Sequence, residues 1–142
     1  MRERQWKIGE RLFNVSRDGL IMGVLNVTPD SFSDGGKFLA AEKAIEHGLK
    51  MVADGADIVD VGGESTRPGA EAIAADEELR RVIPVIEKLR TKIDVPISID
   101  TSKTEVAFAA IQSGASIVND VTGGRGDDGM LSVIAKTKSA LI

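Results

Sequence analysis

The chain has 142 residues, of which 42% are hydrophobic, and its 22 acidic and 18 basic side chains give a formal net charge of −4. This length can bury the core of one domain, and an acidic balance without a Lys/Arg cluster excludes the basic surface that a nucleic-acid partner requires. The chain has no cysteine, which excludes disulfides and thiolate metal sites, and its charged start and the lack of any run of roughly 20 apolar residues predict a cytoplasmic protein with no membrane partner.

The N-terminal part of the chain predicts a short hairpin, then a buried strand and a polar loop. Residues 1–18 contain the hairpin sequence WKIGERLF, and residues 19–142 contain the βα units that follow it. An apolar run predicts a strand at 21–25, and the string NVTPDSFSDGG at 26–36 then brings together an amide, hydroxyls and carboxylates. A Pro/Asp turn capped by glycines would explain this string if it stood alone. A second string of the same layout favours a functional site instead.

That second string reads GGESTRPG at 62–69 and follows a strand predicted at 57–61. Its glycines allow a ligand to approach the backbone closely. Thr66 and Arg67 offer a hydroxyl, a guanidinium fork and exposed backbone N–H groups, which are the groups that bind phosphate. The loop is therefore a candidate anion-binding site.

Apolar strand-like runs alternate along the chain with segments of helical period, which is the pattern of successive βα units around a parallel sheet. The predicted strands are 21–25, 57–61, 96–99 and 116–118, with 140–142 opening a fifth, and the predicted helices are 39–54, a second from about 76, a third after 102 and up to 114, and 128–138. The apolar stripe of the second helix consists of Leu79, Val82, Ile83, Ile86 and Leu89. Pro84 should kink this helix near Arg80, because its ring clashes with the carbonyl four residues earlier.

The fold class that best fits this alternation is α/β, as the first half of a TIM (β/α)8 barrel. The sequence GADIV at 55–59 returns as GASIV at 114–118, a separation that equals two βα units. A barrel of about 250 residues uses roughly 31 per unit, so this chain supplies about half of the eight units. A doubly wound open sheet also fits the alternation, but it typically carries a Gly-rich phosphate-binding turn directly after the first strand.

Polar groups stand at or near the ends of the first four predicted strands, where a barrel assembles its catalytic face. They are Asn26, Asp60, Glu64, Asp100, Asn119 and Asp120. Any one of them could be a helix cap, but together they favour a site. A carboxylate such as Asp100 accepts from ring N–H or amino groups and an amide such as Asn119 both donates and accepts, so the pair suits a fused nitrogen heterocycle. We expect Asp100 to stay ionised, because neighbouring hydrogen bonds favour the charged form.

Four strings carry a resemblance to a known family: VLNVTPDSFSDGG, DVGGESTRPGA, SIDTSK and VND, in this order. Together they resemble the signature loops of dihydropteroate synthases. The resemblance implies a pterin-binding barrel that condenses p-aminobenzoate with (7,8-dihydropterin-6-yl)methyl diphosphate, giving 7,8-dihydropteroate and diphosphate in folate synthesis. It also implies a sulfonamide target.

The resemblance assigns roles to individual residues. It implies that Asp100 and Asn119 hold the pterin with support from Asp60, and that Asn26 contacts the diphosphate and its Mg²⁺. The other substrate-binding residues that it implies are Thr66 and Arg67 around the leaving group, and Phe32 and Pro68 at the p-aminobenzoate pocket. For catalysis it implies Asp30, Asp34 and Arg67.

The chain differs from the family in its extent. Members of the family carry in their second half another pterin-binding Asp, a Lys over the pterin and an Arg/His pair for the diphosphate. We therefore expect either a fragment of a longer enzyme or an association of two copies, and a homodimer is the predicted assembly. One alternative is a pterin-binding half-barrel without turnover. Another is a pterin-dependent methyltransferase with a similar barrel, which the NVTPDSF loop disfavours.

Overall fold

The computed structural model describes residues 3–16, 19–28, 36–65 and 68–142 of the chain. Two antiparallel strands come first, β1 (Gln5–Ile8) and β2 (Arg11–Asn14). The βα units follow as β3 (Met22–Asn26), α1 (Gly36–Ala53), β4 (Ile58–Gly62), α2 (Ala75–Arg90), β5 (Ile97–Asp100), α3 (Thr104–Ser113), β6 (Ile117–Asn119), α4 (Met130–Thr137) and β7 (Ala140–Leu141). Within these described ranges, no helix is both long enough and apolar enough to cross a bilayer.

The strands of the βα units form one parallel sheet whose spatial order, β3-β4-β5-β6-β7, is the order of the chain. A doubly wound sheet would reverse direction at a switch point and place helices on both faces. Here each new strand is added on the same side of the preceding one, which is the winding of a barrel. The observed architecture is therefore the first half of a (β/α)8 barrel, and the alternative of an open doubly wound sheet is wrong.

The two faces of the sheet pack against different partners, because successive side chains of a strand point to opposite sides. On the outer face the strands and helices share one apolar core, whose strand residues include Leu25, Val59, Val61, Ile97, Ile99 and Val118. On the inner face, Ile58, Ile117 and Ala140 pack against Ile8 of the hairpin. These three are the first residues of β4, β6 and β7, so the hairpin covers the amino ends of the strands and leaves their carboxyl ends open.

The repeated sequence at 55–59 and 114–118 corresponds to two equivalent helix-to-strand junctions. Gly55 follows α1 with φ of +106°, and Gly114 follows α3 with φ of +126°. A residue with positive φ commonly ends a helix, and glycine adopts this conformation at little cost because it has no Cβ. A Cβ at Gly114 would also lie 2.2 Å from Cδ of Arg90, so the close packing of α3 on the end of α2 requires glycine there.

Helix α2 is continuous across Pro84, and its buried face differs from the predicted stripe. Val82, Ile86 and Leu89 are buried as predicted, but Glu78 and Val85 take the places expected for Leu79 and Ile83. Leu79 and Ile83 are only partly buried. The buried face is thus rotated by roughly 50° from the predicted stripe, about half the angle between neighbouring helix positions. The Glu78 carboxylate that it buries has a cationic partner, Lys103, inside the fold.

The packing of the hairpin under the sheet predicts the effect of truncating one of its side chains. Ile8 is 2% exposed, and Ile8→Ala should lower the free energy of unfolding by about 2 to 5 kcal/mol, because it leaves a cavity among apolar neighbours. Leu12→Ala is the matched control on the same hairpin, since Leu12 is 65% exposed. Urea unfolding measures both variants, and equal losses would contradict this packing.

Candidate functional site

The register of the sheet places four residues in one row at the carboxyl ends of the strands. Asn26 is opposite Gly62, Gly62 is opposite Asp100, and Asp100 is opposite Asn119. Each is the last residue of its strand, so the polar side chains belong to the sheet itself rather than to the loops after it. Since the four share one level and one face, the three polar side chains converge above the inner face of the sheet.

Gly62 leaves an opening in this row. A Cβ at Gly62 would lie 3.5 Å from Oδ2 of Asp100 and 3.8 Å from Oδ1 of Asn26. Any side chain at this position would therefore occupy the space between the carboxylate and the amide. The glycine keeps both oxygens accessible to a ligand that lies across the strand ends.

Asp60 lies one layer below the row on the same face, two residues before Gly62, and is only 1% exposed. Nδ2 of Asn119 donates a hydrogen bond to Oδ2 of Asp60 at 3.0 Å. Oδ1 of Asp60 is buried and has no hydrogen-bond partner among the described residues. An unpaired buried acceptor costs about 1 to 3 kcal/mol, so a ligand that donates an N–H to this oxygen would gain affinity. The bond to Asp60 uses one of the two N–H donors of the Asn119 amide and fixes the direction of its oxygen, which can act as an acceptor.

The electrostatics of the row are dominated by carboxylates. Burial, followed by the negative charges of Asp60, Glu78, Asp120 and Glu64, raises the pKa of Asp100 to about 6. The expectation that neighbouring hydrogen bonds stabilise its charged form is therefore wrong, because within the part of the chain that the structure describes its pKa is governed by burial and by other carboxylates. At pH 7 the group is still mainly ionised, but it titrates close to neutrality.

Lys103 supplies a cation beside this cluster, and sequence reasoning did not identify it. Its Nζ donates to Oε2 of Glu78 at 2.7 Å and to Oε2 of Glu64. Burial on its own would lower the pKa of Lys103, but the hydrogen bonds and charges of Glu64 and Glu78 outweigh it and raise the pKa. The signal that could have revealed the group is the spacing of Glu78 four residues before Val82, on the buried face of α2, since a carboxylate there needs a cationic partner.

The turn after β4 is attached to α2. Nη1 of Arg81 donates to the carbonyl oxygen of Gly63 at 2.8 Å, and its Nε donates to Oε1 of Glu77 at 3.1 Å. A Cβ at Gly63 would lie 2.9 Å from Cγ1 of Val82, so the backbone passes close against the helix. These contacts fix the start of the segment that leads from β4 toward Thr66 and Arg67.

A cavity of about 200 Å³ lies between the strand ends and this turn, lined by Glu64, Ser65, Glu78, Asp100, Thr101, Ser102 and Val121. A larger cavity of about 530 Å³ lies at the other end of the strands, between the hairpin and the segments around Arg90, Pro96 and Ser116. The polar row does not line the larger cavity. Asp100 is the member of the polar row that lines the smaller cavity, which therefore lies at the candidate site.

Two further acidic residues serve the local structure of the loops. The Asp120 carboxylate accepts from the backbone N–H groups of Thr122 at 2.9 Å and Gly124 at 3.0 Å, which shapes the turn after β6. The Asp127 carboxylate accepts from the backbone N–H of Thr104 at 2.9 Å, at the start of α3, and this bond lowers its pKa. The negative charge of Asp120 also contributes to the raised pKa of Asp100, so Asp120 influences the candidate site electrostatically.

The structure brings together Asn26, Asp60, Asp100 and Asn119 among the predicted site residues. Pro68 is exposed beyond the turn after β4. The other predicted residues lie outside the described ranges, namely Asp30, Phe32, Asp34, Thr66 and Arg67. Their roles stay predictions.

Comparison with known proteins identifies the family of the chain. The chain matches the family described as "Pterin binding enzyme" over residues 22–142. It is similar to the dihydropteroate synthase of Bacillus subtilis strain 168, with 57% identity over 117 residues that cover 82% of this chain and 41% of that protein.

Solved structures show the same similarity. A dihydropteroate synthase from Clostridium difficile, determined in the presence of pteroic acid, matches with a TM-score of 0.80 and 58% identity, over 86% of this chain and 46% of that one. The Xanthomonas albilineans dihydropteroate synthase with 4-aminobenzoic acid matches with a TM-score of 0.87 and 46% identity, over 99% of this chain and 50% of that one. The chain thus spans about half the length of the proteins it matches.

The raised pKa of Asp100 predicts a pH-dependent stability. The folded-state pKa of about 6 lies above the ordinary value of 3.8, so ionised Asp100 is less favourable in the folded protein than protonated Asp100. The contribution of Asp100 to the free energy of unfolding is therefore fully present below pH 3.8 and is lost as the pH rises through 6. We expect Asp100→Asn to stabilise the protein more at pH 7 than at pH 4. Urea unfolding at both pH values measures the difference, with Asp128→Asn at an exposed position as the control. A gain that does not change with pH would contradict the assignment.

Proposed function

The chain belongs to the family of pterin-binding enzymes, and we propose that the protein that carries it is a dihydropteroate synthase. In this proposal the protein is a transferase of folate biosynthesis. It condenses p-aminobenzoate with (7,8-dihydropterin-6-yl)methyl diphosphate to give 7,8-dihydropteroate and diphosphate. The observation that carries the proposal is the set of acceptors at the strand ends: the unpartnered Oδ1 of buried Asp60, the Asp100 carboxylate and the Asn119 amide.

These acceptors match the donors of a pterin. A pterin presents an amino group and ring N–H groups along one edge, and a carboxylate is the strongest acceptor that a protein offers to them. In this proposal Asp100 and Asp60 accept from the pterin edge, while the Asn119 amide is oriented by its bond to Asp60. The opening at Gly62 gives the flat ring access to these groups.

The proposed reaction requires little acid or base chemistry from the chain. The bond from the pterin methylene carbon to the diphosphate oxygen breaks, positive charge develops on that carbon, and the arylamine nitrogen attacks it and then loses a proton. Carboxylates would stabilise the developing cation electrostatically. We propose Asp30 and Asp34 for this role and Arg67 for stabilising the departing diphosphate. Exclusion of water protects the cation until the amine attacks it.

We propose that Mg²⁺ binds at Asn26, at the end of β3. Mg²⁺ prefers oxygen ligands and is commonly held by one or two protein groups together with substrate phosphates. The exposed Asn26 amide, with its Oδ1 beside the gap at Gly62, fits such a single protein ligand. No cluster of three or more His, Cys, Asp or Glu residues able to hold a metal occurs in the described ranges, so the diphosphate would complete the coordination. The ion would supply positive charge to the leaving group.

The p-aminobenzoate pocket is proposed to involve the two signature loops. Thr66 and Arg67 are the proposed groups around the diphosphate, and Phe32 and Pro68 are the proposed walls for the aromatic acid. The structure of a relative with 4-aminobenzoic acid supports an arylamine as the second substrate. We propose on the same basis that sulfonamides compete for this pocket.

A second candidate function is pterin binding without turnover by the 142-residue chain alone. The chain spans about half the length of its relatives, and the described residues form a more complete site for the pterin than for the diphosphate. Only Asn26 among the described residues is proposed to contact the diphosphate side.

We also propose a cytoplasmic homodimer. In the 142-residue chain by itself, β3 and β7 lie at the edges of the five-stranded sheet, and unpaired strand edges favour association with a second copy. The absence of cysteine is compatible with a reducing compartment. Sedimentation velocity of the 142-residue chain measures the assembly, and a monomer at micromolar concentration would contradict association through these edges.

The proposed function predicts the activity of two forms of the protein. The full-length gene product should form dihydropteroate from p-aminobenzoate and the pterin diphosphate, with dependence on Mg²⁺, whereas the 142-residue chain alone should bind a pterin without robust turnover. A coupled assay of diphosphate release, with and without a chelator, tests both forms. Full turnover by the monomeric chain would contradict this division, and no turnover by the full-length product would contradict the proposed function.

The proposed pterin contact predicts the effect of removing one charge. In the full-length protein, Asp100→Asn should weaken pterin binding by about 1.5 to 3 kcal/mol, the contribution of a hydrogen bond to a charged group. Titration calorimetry with a pterin that lacks the diphosphate measures it at pH 8, above the pKa of Asp100 of about 6. Asp128→Asn is again the control. Unchanged affinity would assign Asp100 to a structural role.

A further inference from the structure

Three charged side chains connect three separate segments beside the candidate site. Lys103 is the N-cap residue of α3, Glu64 lies in the turn after β4, and Glu78 lies in the first turn of α2. We propose that Lys103 is a positioning residue, which holds Glu64 and thereby the start of the segment that leads from β4 to Thr66 and Arg67. This inference rests on the proposed function and adds to it a residue outside the direct substrate contacts.

The buried partner determines where the ammonium group points. Glu78 is fully buried, and its Oε2 accepts from Nζ of Lys103 at 2.7 Å. A buried carboxylate strongly favours a paired cation, because removing one partner leaves an uncompensated charge. Glu78 therefore holds Nζ at one place, and Glu64 binds there from the other side.

Lys103 also lies in the segment that directly follows Asp100, the proposed pterin contact. Lys103 follows Asp100 by three residues, and its backbone N–H donates to Oγ1 of Thr101 at 3.2 Å. The backbone of Lys103 is therefore held close to the end of β5, while its side chain reaches the turn after β4. The pair of Lys103 and Glu64 thus couples the proposed pterin side of the site to the proposed diphosphate side.

The other anchor of that turn acts at a different point. Arg81 binds the carbonyl oxygen of Gly63 at 2.8 Å and so fixes the backbone before Glu64. The Glu64 side chain is 22% exposed, and the ammonium of Lys103 is the partner that directs it inward. With Gly63 and Glu64 both held, the chain enters Ser65 in one direction.

Charge gives a second reason for a lysine at this place. Glu64, Glu78 and Asp100 line one cavity of about 200 Å³. An anionic diphosphate would be repelled by three uncompensated carboxylates, and Lys103 offsets part of this charge through its two bonds. A neutral residue of similar length would fill the space without supplying either effect.

The test uses the full-length protein with Lys103→Met, Lys103→Arg, Glu64→Gln and the double variant of Lys103→Met and Glu64→Gln. At pH 8 we expect Lys103→Met to lower kcat/KM for p-aminobenzoate by about 10- to 100-fold, the scale of a misplaced catalytic segment. Binding of a pterin without diphosphate should change by less than about twofold, because Asp100 is ionised at this pH. Lys103→Arg should restore most of kcat/KM, since it keeps the charge. Lys50→Met, an exposed lysine in an ion pair on α1, is the matched control.

The double variant decides between positioning and general destabilisation. If the Lys103–Glu64 bond carries the effect, Glu64→Gln alone should reproduce most of the loss of kcat/KM, and the double variant should be no worse than Lys103→Met alone. A loss in Lys103→Met that Glu64→Gln does not share would assign the effect to the uncompensated Glu78 and overturn the inference. Additive losses, or an equal loss of pterin binding and of kcat/KM, would overturn the inference.

Hydrogen exchange at the backbone amides of Glu64 and Ser65 provides a readout that does not need activity. We expect faster exchange at these amides in Lys103→Met and Glu64→Gln, and unchanged exchange at Gly124, in the turn after β6. A wild-type protein without turnover would count against the proposed function, while unchanged exchange at Glu64 and Ser65 would count against the positioning role.

Discussion

The in-register parallel pairing of β3, β4, β5 and β6 is the constraint on which the rest of the structure depends. It aligns the last residues of four strands, so that an amide, a glycine, a carboxylate and an amide face one space. A slip of one residue would turn Asp60 and Asp100 toward the helices and bring Val61 and Ile99 into the site. The apolar residues of the outer face prevent that slip, because they are buried only in the observed register. The geometry of the site is thus maintained by the core on the other side of the sheet.

The candidate site contains several carboxylates whose side chains are buried or partly buried. Asp60 and Glu78 are buried and each has one oxygen without a hydrogen-bond partner among the described residues, and burial with neighbouring charges raises the pKa of Asp100. Such groups reduce the stability of a free protein, and binding sites commonly accept that cost for affinity. Lys103 limits the cost on one side through its bonds to Glu64 and Glu78. On the other side, the proposed pterin would satisfy the carboxylates with its own donors.

The hairpin covers the amino end of the inner face of the sheet, and the carboxyl end carries the polar groups. Ile8 packs on the first residues of β4, β6 and β7, and Nη1 of Arg11 donates to the carbonyl oxygen of Asp94 at 2.6 Å, so the amino ends of the strands are covered. Strand ends on the carboxyl side carry the polar row instead. The larger cavity lies at the covered end, which explains why cavity size by itself would have pointed away from the acceptors.

The sequence by itself determined the element order, the barrel winding and four polar residues that the sheet brings together, because these signals are local. Strand and helix periods can be read over a few residues, and Asn26, Asp60, Asp100 and Asn119 stand at or near strand ends in a fold that gathers such ends together. The burial of Glu78, the reach of Lys103 to Glu64 and the raised pKa of Asp100 were decided only by the tertiary structure. Each depends on which face of α2 meets its neighbours, and neighbouring helix positions differ by about 100° around the axis. A rotation by roughly half of that angle, which the predicted stripe with Leu79 and Ile83 did not reveal, places a carboxylate inside the fold and creates the need for the lysine that pairs with it.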